Sequence, residues 1–494
     1  MNQEIQESSL KEQKKKNPNF IFGILCVIGS AILSFVYPSI FSFHTFCVYQ
    51  TSYIKHNGGG DADIIYTMFY YPVTLLFQSF FGLLAGIVFS KVGVHWSNLI
   101  GTSVFILAGL IMYLSTRFYL DMIACAMYGI GVSILMFPTA INACKYFMNH
   151  IGLINGIIET SQSLGTTFFA FIGEQIIINP DKIPSNEIDH LYDENIAKNV
   201  KKFLLIQIFS CLGVFLVEEI ITKTYNENNK EKFSIKFLFR INEIKSLFKK
   251  KYELNLIDVE NDSIQPINRE SSGINEIEEN VDNIKEIKQV FKTRKEKIKM
   301  VLKSWKFWRY NLISLSQSPI GDMIFAMCRG IAETYHVDQN AIQIIGTLAF
   351  IIEFIFSFIF GILCDYVDFR ILTFINNMIG SIVGITYYHT FQNSVAFSIL
   401  TLFMSIQSAG YYSLKDCHLM KVFGTDIYID LSGAVCLTTG ICTIILTSIT
   451  YFIEKILGDK DTAYLIIFPV FGLFNFCGVI LGFFEDEEPF DYNE

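Results

Sequence analysis

Charged residues are scarce in this sequence. Asp, Glu, Lys and Arg make up 17% of its 494 residues, whereas 51% are hydrophobic and the mean hydropathy is +0.40. The apolar residues come in runs of about 20, the length that a helix needs to cross the ~30 Å hydrocarbon core of a bilayer. A soluble core does not require so much hydrocarbon, so the composition predicts an all-α polytopic membrane protein.

The signatures of several other protein classes are missing. The 11 cysteines, among them Cys26 and Cys436, show no paired spacing of disulfide or zinc type, and we interpret them as small core residues. The triple glycine at 58–60 lacks the Gly-Lys-Ser/Thr of a nucleotide-binding loop, so ATP-driven pumping is unsupported. The net charge of -9 argues against a nucleic-acid partner. No metal site, cofactor or catalytic residue is predicted.

One short motif has the form of an enzyme site. His56 and Asp61 are spaced like the His and Asp of acyltransferases, in which the Asp orients the His as a base. The pair lies in a short predicted loop without the polar surroundings that such a site needs. We therefore interpret the spacing as chance and predict that the protein is not an enzyme.

Twelve apolar runs divide into two sets of six. They lie at 20–43, 63–90, 94–115, 118–143, 151–178 and 202–222, and at 307–331, 340–364, 371–390, 394–414, 428–452 and 463–484. The predicted domains are an amino-terminal tail (1–19), a first six-helix bundle (20–222), a central loop (223–306), a second bundle (307–484) and an acidic tail (485–494). The central loop is either a solvated linker or, at FSIKFLFRINEIKSLFKK, an amphipathic helix on the membrane surface.

The basic residues of the loops favour one side of the membrane. KEQKKK, SKVGVHW, the central loop and LKDCHLMK, which we interpret as a loop, are basic, whereas NGGGDAD and DKIPSNEIDHLYDEN on the other side lean acidic. Lys and Arg mark the cytosolic side of membrane proteins. Both termini are therefore predicted to be cytosolic, and the late, long first run argues against a cleaved signal peptide. A plasma membrane and an organelle membrane fit equally well.

A short motif recurs where the second run of each set ends. The first copy is GIVFSKVGVHW (86–96) and the second is GILCDYVDFRI (361–371), 361 − 86 = 275 residues later. Each copy joins the second and third runs of its set, which is what an internal repeat would produce.

The paired copies resemble the signature of the major facilitator superfamily: Gly, three residues, Asp, a basic residue, any residue, Gly, any residue, then Arg or Lys. Ser90 and His95 stand in the acid and final basic positions of the first copy. The matching residues are Gly86, Lys91, Gly93, Gly361, Asp365 and Arg370. The resemblance implies the major facilitator fold, with twelve transmembrane helices in two pseudo-symmetric six-helix bundles and a cytosolic gate formed by the motif.

A second stretch is similar to the monocarboxylate and oxalate/formate transporter branch. In that branch an aromatic pair precedes a basic cluster, a Gly-Leu pair and spaced glycines. Asn149 and His150 depart from the basic cluster, and INPDKI (178–183) resembles the branch's exit from the fifth helix. The matching residues are Tyr146, Phe147, Gly152, Leu153, Gly156 and Gly165.

Glu353 is the first choice for a functional acid. It lies eleven residues before Cys364, about 16 Å from the inner boundary and near the midplane. An ionisable residue at that depth costs at least ~2.5 kcal/mol on insertion scales and is a functional candidate by default. The branch places an Arg four residues after its own acid, but Ser357 stands there, and Ser39 stands where the branch often has a Lys. Both expected cations for a substrate carboxylate are thus missing.

Other polar residues have two interpretations. Asp322, about 14 Å from the outer boundary, and Arg329 form an outer gate or meet an anionic substrate, unless Arg329 is an interfacial anchor. Lys415 is interpreted as an interface anchor and Glu159 as a solvated helix end. Either cavity lining or interhelical hydrogen bonding fits Tyr37, Ser39, Gln162, Ser357, Asn376, Asn377, Gln407, Tyr411 and Tyr412.

The resemblance implies a secondary transporter that works by alternating access, with a small-molecule substrate, protons and the lipid bilayer as partners. We expect proton-coupled symport of a small monocarboxylate such as lactate, pyruvate or pantothenate, with Glu353 as the coupling acid and with Asp322 and Arg329 in the outer half of the path. The alternatives are an amino acid or another neutral solute as substrate, and a non-transporting receptor built on a transporter fold.

Overall fold

The computed structural model describes residues 18–58, 67–177, 194–222, 294–335, 339–457, 460–485 and 487–492. The chain divides into two compact units, Met1–Tyr225 with Ile298–Glu494 and Asn226–Lys297. The first unit contains all the membrane-length helices of the described residues. Of the second unit only 294–297 are described, so the interpretation of the central loop lies almost entirely outside the described residues.

The first set of predicted runs is helical. The helices are α1 (Pro18–Val36), α2 (Ser39–His56), α3 (Thr67–Leu114), α4 (Phe118–Tyr146), α5 (Ile151–Ile177), α6 (Glu194–Ala197) and α7 (Asn199–Ile221). The first run is thus divided between α1 and α2, and α3 contains both the second and the third runs. The sixth run corresponds to α7, and the short helix α6 precedes it.

The second set follows the same plan. Its helices are α8 (Arg294–Lys303), α9 (Trp305–Thr334), α10 (Gln339–Tyr366), α11 (Phe369–Thr386), α12 (Ser394–Phe423), α13 (Tyr428–Leu457) and α14 (Lys460–Gly482). The short helix α8 is an addition, because the sequence predicts only loop there. Its Val301 is buried and belongs to the same apolar core as residues of α9 and α12.

The lengths and surfaces of these helices fit a membrane. Nine spans within the described residues are long and apolar enough to cross a bilayer. The remaining long helices, α5, α9 and α13, have 27, 30 and 30 residues, and so extend over about 40 Å or more at 1.5 Å per residue. Large apolar side chains such as Phe80, Leu107 and Ile382 point outward and are about half exposed. The protein is therefore a multi-pass integral membrane protein.

Two local breaks place residues that matter below. Tyr37 and Pro38 separate α1 from α2, so the first span is interrupted in its middle. In α3 the break is at Gly93, whose φ of 79° and ψ of 179° divide the long helix into two spans. A positive φ of this kind is open to glycine at little cost. The motif glycine is thus the turn between the second and third runs.

A buried polar network closes the turn between α3 and α4. The ammonium group of Lys201 donates to the carbonyls of Met112 and Ser115, at 3.0 and 3.1 Å, where α3 ends. Nearby, Asp121 in the first turn of α4 accepts from Tyr70 at 2.7 Å and from Gln50 at 3.1 Å. Carbonyls at a helix end lack a partner within the helix, and Lys201 supplies a donor to the Ser115 carbonyl and a further donor to the Met112 carbonyl, which also accepts from Gln50.

The acidic tail packs against the second set of helices. Glu485 is fully buried and lies 2.6 Å from Arg309 Nε and 3.3 Å from His418 Nε2. The backbone N–H of Phe490 donates to the Val422 carbonyl at 2.8 Å. These contacts connect the tail to the start of α9 and the end of α12, so its described part is a packed segment.

Candidate functional site

A cavity of about 230 Å³ lies between the two sets of helices. Its walls come from α2 to α5 and the break before α2 in the first set, and from α9, α10, α12 and α13 in the second. The lining contains three charged side chains, Glu159, Glu353 and Lys415. Its aromatic rings are Tyr37, Phe41, Tyr71, Phe137, Phe350, Tyr411 and Tyr412. Apolar walls with a few convergent polar groups are typical of small-molecule sites.

The two acids approach from opposite sets of helices. Glu159 belongs to α5 and is 6% exposed, whereas Glu353 belongs to α10. They are close enough to interact electrostatically, and Glu159 is also within electrostatic reach of Lys415. Among the described residues, the cavity lining therefore contains one cation and two carboxyl groups.

Lys415 is held in the wall with few bonds to its ammonium group. It is 3% exposed, and its nearest carboxylate is Asp416, with 3.6 Å between Nζ and Oδ1. Its other contacts are Cys436 Sγ at 3.7 Å and the rings of Tyr411 and Tyr412, whose centroids are 5.7 and 5.6 Å away. An ammonium group has three donors, and among the described residues none of them reaches an oxygen at 2.7–3.2 Å, the usual hydrogen-bond range. The group is thus suited to an additional anionic ligand.

Several polar atoms of the lining have no hydrogen-bond partner among the described residues. They are Tyr37 Oη, Gln78 Oε1 and Gln162 Nε2. Buried polar groups are nearly always hydrogen-bonded in native proteins. These atoms are therefore available to a polar ligand or to water in the cavity.

The structure brings some of the predicted site residues into this cavity. Glu353, Tyr37, Gln162 and Tyr411 all line it, together with Tyr412. Asp322 and Arg329 lie on α9, but their side chains are outside the described part of the chain. The outer gate that they would form thus stays a prediction.

Other predicted lining residues lie behind the cavity wall. Ser39 is buried and accepts a hydrogen bond of 2.8 Å from Gln207. The carbonyl of Ser357 accepts from Ser413 at 3.1 Å. Fully buried within the second set are Asn376, Asn377 and Gln407. None of these five side chains is among those that line the cavity.

Two interpretations from the sequence need correction. The stretch 414–421 is not a loop, because α12 continues to Phe423 and buries Lys415, Asp416 and His418 among the other helices. Lys415 is accordingly a cavity residue rather than an interface anchor. Glu159 is buried in the cavity wall, not at a solvated helix end. The position of Glu159 could have been found from the sequence, since it lies eight residues, about 12 Å, inside α5.

The second motif copy joins α10 to α5 at the end of the bundle that contains the motif, which we call the motif end. Asp365 accepts from the backbone N–H groups of Gly152 and Leu153, each at 2.9 Å. A Cβ on Gly361 would lie 2.5 Å from the Cα of Gly156, so the two helices touch backbone to backbone. Arg370 pairs locally with Asp368, 2.9 Å away.

The first motif copy makes the equivalent contact with α13. A Cβ on Gly86 would clash with Oδ1 of Asp430, so Gly86 packs closely against an acidic residue of the opposite helix. His95, in the final basic position, lies 3.2 Å from Glu219 of α7. Lys91 is exposed. Both copies therefore lie where a helix of one set meets a helix of the other.

The stretch that resembles the monocarboxylate branch also contributes to this end. Gly152 and Gly156 form the face of α5 that meets α10, and Gly165 lies against the backbone of Phe35 in α1. Tyr146 ends α4, and a Cβ on Gly23 would lie 2.8 Å from the ring of Phe147. The segment INPDKI, like Asp61, lies outside the described residues.

No protein-family model and no curated protein sequence matches the chain. Solved structures do match it. The proton:xylose symporter XylE of the major facilitator superfamily, bound to 6-bromo-6-deoxy-D-glucose, is 12% identical with a TM-score of 0.62, over 94% of this chain and 94% of that chain. The major facilitator superfamily transporter FucP in the outward conformation is 14% identical with a TM-score of 0.58, over 93% and 99%. A variant of the E. coli fucose:proton symporter FucP is 14% identical with a TM-score of 0.52, over 93% of this chain and 98% of that chain.

The chain has the major facilitator fold. This confirms the fold class predicted from the twelve runs and the repeated motif. In this major facilitator fold, α5 meets α10 and α3 meets α13 at the motif end, which relates the two sets by the expected pseudo-symmetry. The matched structures include sugar symporters, and the narrower resemblance to the monocarboxylate branch stays a prediction.

Proposed function

We propose that the protein is a proton-coupled secondary transporter of a small monocarboxylate. The observation that carries this proposal is Lys415, a buried and sparsely bonded ammonium group in the cavity wall. It supplies the cation that the sequence lacks at Ser39 and Ser357. A substrate carboxylate would accept hydrogen bonds from Lys415, while Tyr411 and Tyr412 would pack against its short carbon chain.

The proton would be carried by the acids of the cavity. Glu353 and Glu159 face the same space as the lysine, so one proton and one carboxylate would enter together and leave the site without a change in net charge. A carboxyl group inside a membrane protein is a common proton relay. We assign the coupling role to Glu353, as its depth in the sequence predicts, and Glu159 is the second acid of the site.

Alternating access would be controlled at the motif end. The contacts of Asp365 with α5 and of Gly86 with α13 join the two sets of helices there, and they must separate for the cavity to open on that side. We propose that this end and both termini are cytosolic, in agreement with the basic loops. The domain boundaries at 20–222 and 307–484 would then delimit the two bundles that rock against each other.

Uptake of labelled lactate into proteoliposomes tests the proposal. An inward proton gradient should drive accumulation by the wild-type protein, and dissipation of the gradient should remove it. Lys415→Met should abolish lactate uptake, whereas Lys202→Gln, a change at an exposed lysine of α7, should not. Glu353→Gln should retain exchange but lose the response to the proton gradient. Gradient-independent uptake by the wild type would overturn proton coupling, and no flux of any small solute would favour the receptor alternative.

A neutral solute is the second candidate. It is favoured by Asp416, which already lies 3.6 Å from Lys415 and lowers the need for an anion. The hydroxyl and amide groups of the lining, including Ser79, Gln162 and Thr439, fit the hydroxyl groups of a sugar. XylE and FucP are named as xylose and fucose symporters. Competition of the lactate uptake by xylose or fucose would favour this alternative.

A further inference from the structure

The pair formed by Lys415 and Asp416 has an unusual arrangement. The two residues are consecutive in α12, and only Lys415 lines the cavity. Asp416 is 2% exposed and lies behind the wall, where Ser432 of α13 donates to its Oδ1 at 3.2 Å. The distance of 3.6 Å to Lys415 Nζ is that of an ion pair but is longer than a charge-assisted hydrogen bond, about 2.7–2.9 Å.

We infer that Asp416 is a positioning residue that acts as the internal counter-ion of Lys415. It balances the ammonium group when no substrate is bound, and a substrate carboxylate competes with it for the lysine. The inference rests on the proposed function, because it assigns a role within the same site. Asp416 is then the residue that limits how tightly a substrate carboxylate is held.

The backbone and the side chains around the pair fix its geometry. Tyr310 of α9 donates to the carbonyl of Lys415 at 2.9 Å, which holds this part of α12 against α9. Ser432 holds Asp416 from the other side. These contacts hold the backbone of Lys415 and the side chain of Asp416 in place, and the side chain of Lys415 lines the cavity.

Electrostatics explain why such a counter-ion is needed. An isolated ammonium group in the apolar interior of a membrane protein is costly, and one with a partner at hydrogen-bond distance would bind a second anion weakly. A counter-ion at intermediate distance lowers the cost of burying the ammonium group and leaves the lysine able to bind a substrate carboxylate. Other ionisable groups within electrostatic reach of the pair are Glu159, Tyr37, Tyr310, Tyr411, Tyr428, Cys144 and Cys436. Glu353 interacts in turn with Glu159.

Titration calorimetry with the purified full-length protein tests the inference. The probes are lactate and its neutral analogue lactamide. Asp416→Asn removes the competing charge but retains an oxygen for Ser432, so lactate should bind about tenfold more tightly, or better, than to the wild type. Lactamide binding should be unchanged. Asp416→Glu, which restores the charge, should return the lactate affinity to within about threefold of the wild type.

The outcomes separate the inference from the proposed function. A gain in lactate affinity supports the inference, because a residue that is only structural would weaken binding when replaced. Lactate binding to the wild type with equal or weaker binding to a folded Asp416→Asn overturns the inference alone. Absence of lactate binding to both proteins overturns both. Should Asp416→Asn fail to fold, Asp416→Ser, which also retains an oxygen for Ser432, is measured in the same way.

Discussion

The carboxylate of Asp365 caps the first turn of α5 by accepting the backbone N–H groups of Gly152 and Leu153, each at 2.9 Å. An anion is favourable at a helix N-terminus, where these N–H groups have no partner within the helix. Because Asp365 belongs to α10, the same two bonds connect the two sets of helices. On the proposed function, this contact of the motif acid has to break when the motif end opens.

Replacing Asp365 should loosen the start of α5. Hydrogen bonds to a charged group contribute about 1.5–3 kcal/mol, so Asp365→Ala should accelerate amide hydrogen exchange at 151–154 by roughly tenfold or more. Asp365→Asn, which retains one carbonyl oxygen, should have an intermediate effect. Hydrogen exchange measured by mass spectrometry checks this, with the peptides of α7 as the internal control. Unchanged exchange at 151–154 would show that the cap does not hold the helices together.

Adding a methyl group at the crossing of α5 and α10 should destabilise the protein. The Cβ of Gly361→Ala would lie 2.5 Å from the Cα of Gly156, so the helices must separate, at a cost of about 1–3 kcal/mol. Gly213→Ala is the matched control, because no atom lies within 4 Å of its added Cβ and alanine favours helix. Thermal unfolding should show a lower Tm for Gly361→Ala and an equal or higher Tm for Gly213→Ala. Equal Tm values for the two variants would contradict the close contact.

Removing the ammonium group of Lys201 should also lower stability. Lys201→Met removes the donor to the buried Ser115 carbonyl and one of the donors to the Met112 carbonyl, which costs about 1–3 kcal/mol. Lys202→Met changes the neighbouring exposed lysine and should leave the Tm within about 2 °C of the wild type. A similar Tm for the two variants would mean that Lys201 does not support the α3–α4 turn.

Asp368 at the start of α11 has two separable roles. It caps the helix through a bond of 2.8 Å from the Arg370 N–H, and it pairs with the Arg370 side chain at 2.9 Å. Asp368→Asn retains the cap and should change the Tm little, since exposed ion pairs contribute under about 1 kcal/mol. Asp368→Ala should lower stability by about 1 kcal/mol. Thermal unfolding of the two variants distinguishes the roles.

The pH dependence of the Asp368 contribution has a defined sign. The hydrogen bond from the Arg370 side chain holds the pKa of Asp368 below its ordinary value of 3.8. A lowered folded-state pKa adds stability above the unfolded-state value, and this stability is lost as the pH falls through the folded-state pKa. The difference in Tm between the wild type and Asp368→Ala should therefore shrink below about pH 4. A difference that grows on acidification would contradict the assignment.

The membrane helices were predictable because hydrocarbon length is visible in the sequence. Each of the twelve runs corresponds to helix in the described residues, and the motif copies lie at the turns where they were expected. At Gly93 and at Asp368, the motif residues allow a single turn between two helices in place of a longer loop. The short helix α8 was not predicted, because most of its residues are charged and Val301 is its one buried position.

The site was less predictable, since charge marks both a helix end and a buried site. In the sequence, the apolar run of α12 ends at Leu414 because Lys415, Asp416 and His418 follow. The helix itself continues for nine more residues to Phe423. These polar side chains have partners that are distant in sequence, such as Glu485 for His418 and Ser432 for Asp416. Local hydropathy contains no information about such distant partners. Glu353 was found because it stands alone in the middle of its run.

Lactate binding to Lys415 is the central claim, and calorimetric titration of lactate into purified protein tests it most directly. The wild type should bind lactate and not lactamide, and Lys415→Met should lose lactate binding by at least about tenfold. The double variant Lys415→Met with Asp416→Asn, which removes both charges of the pair, should show the same loss. Lactate binding of wild-type affinity in both variants would contradict the account.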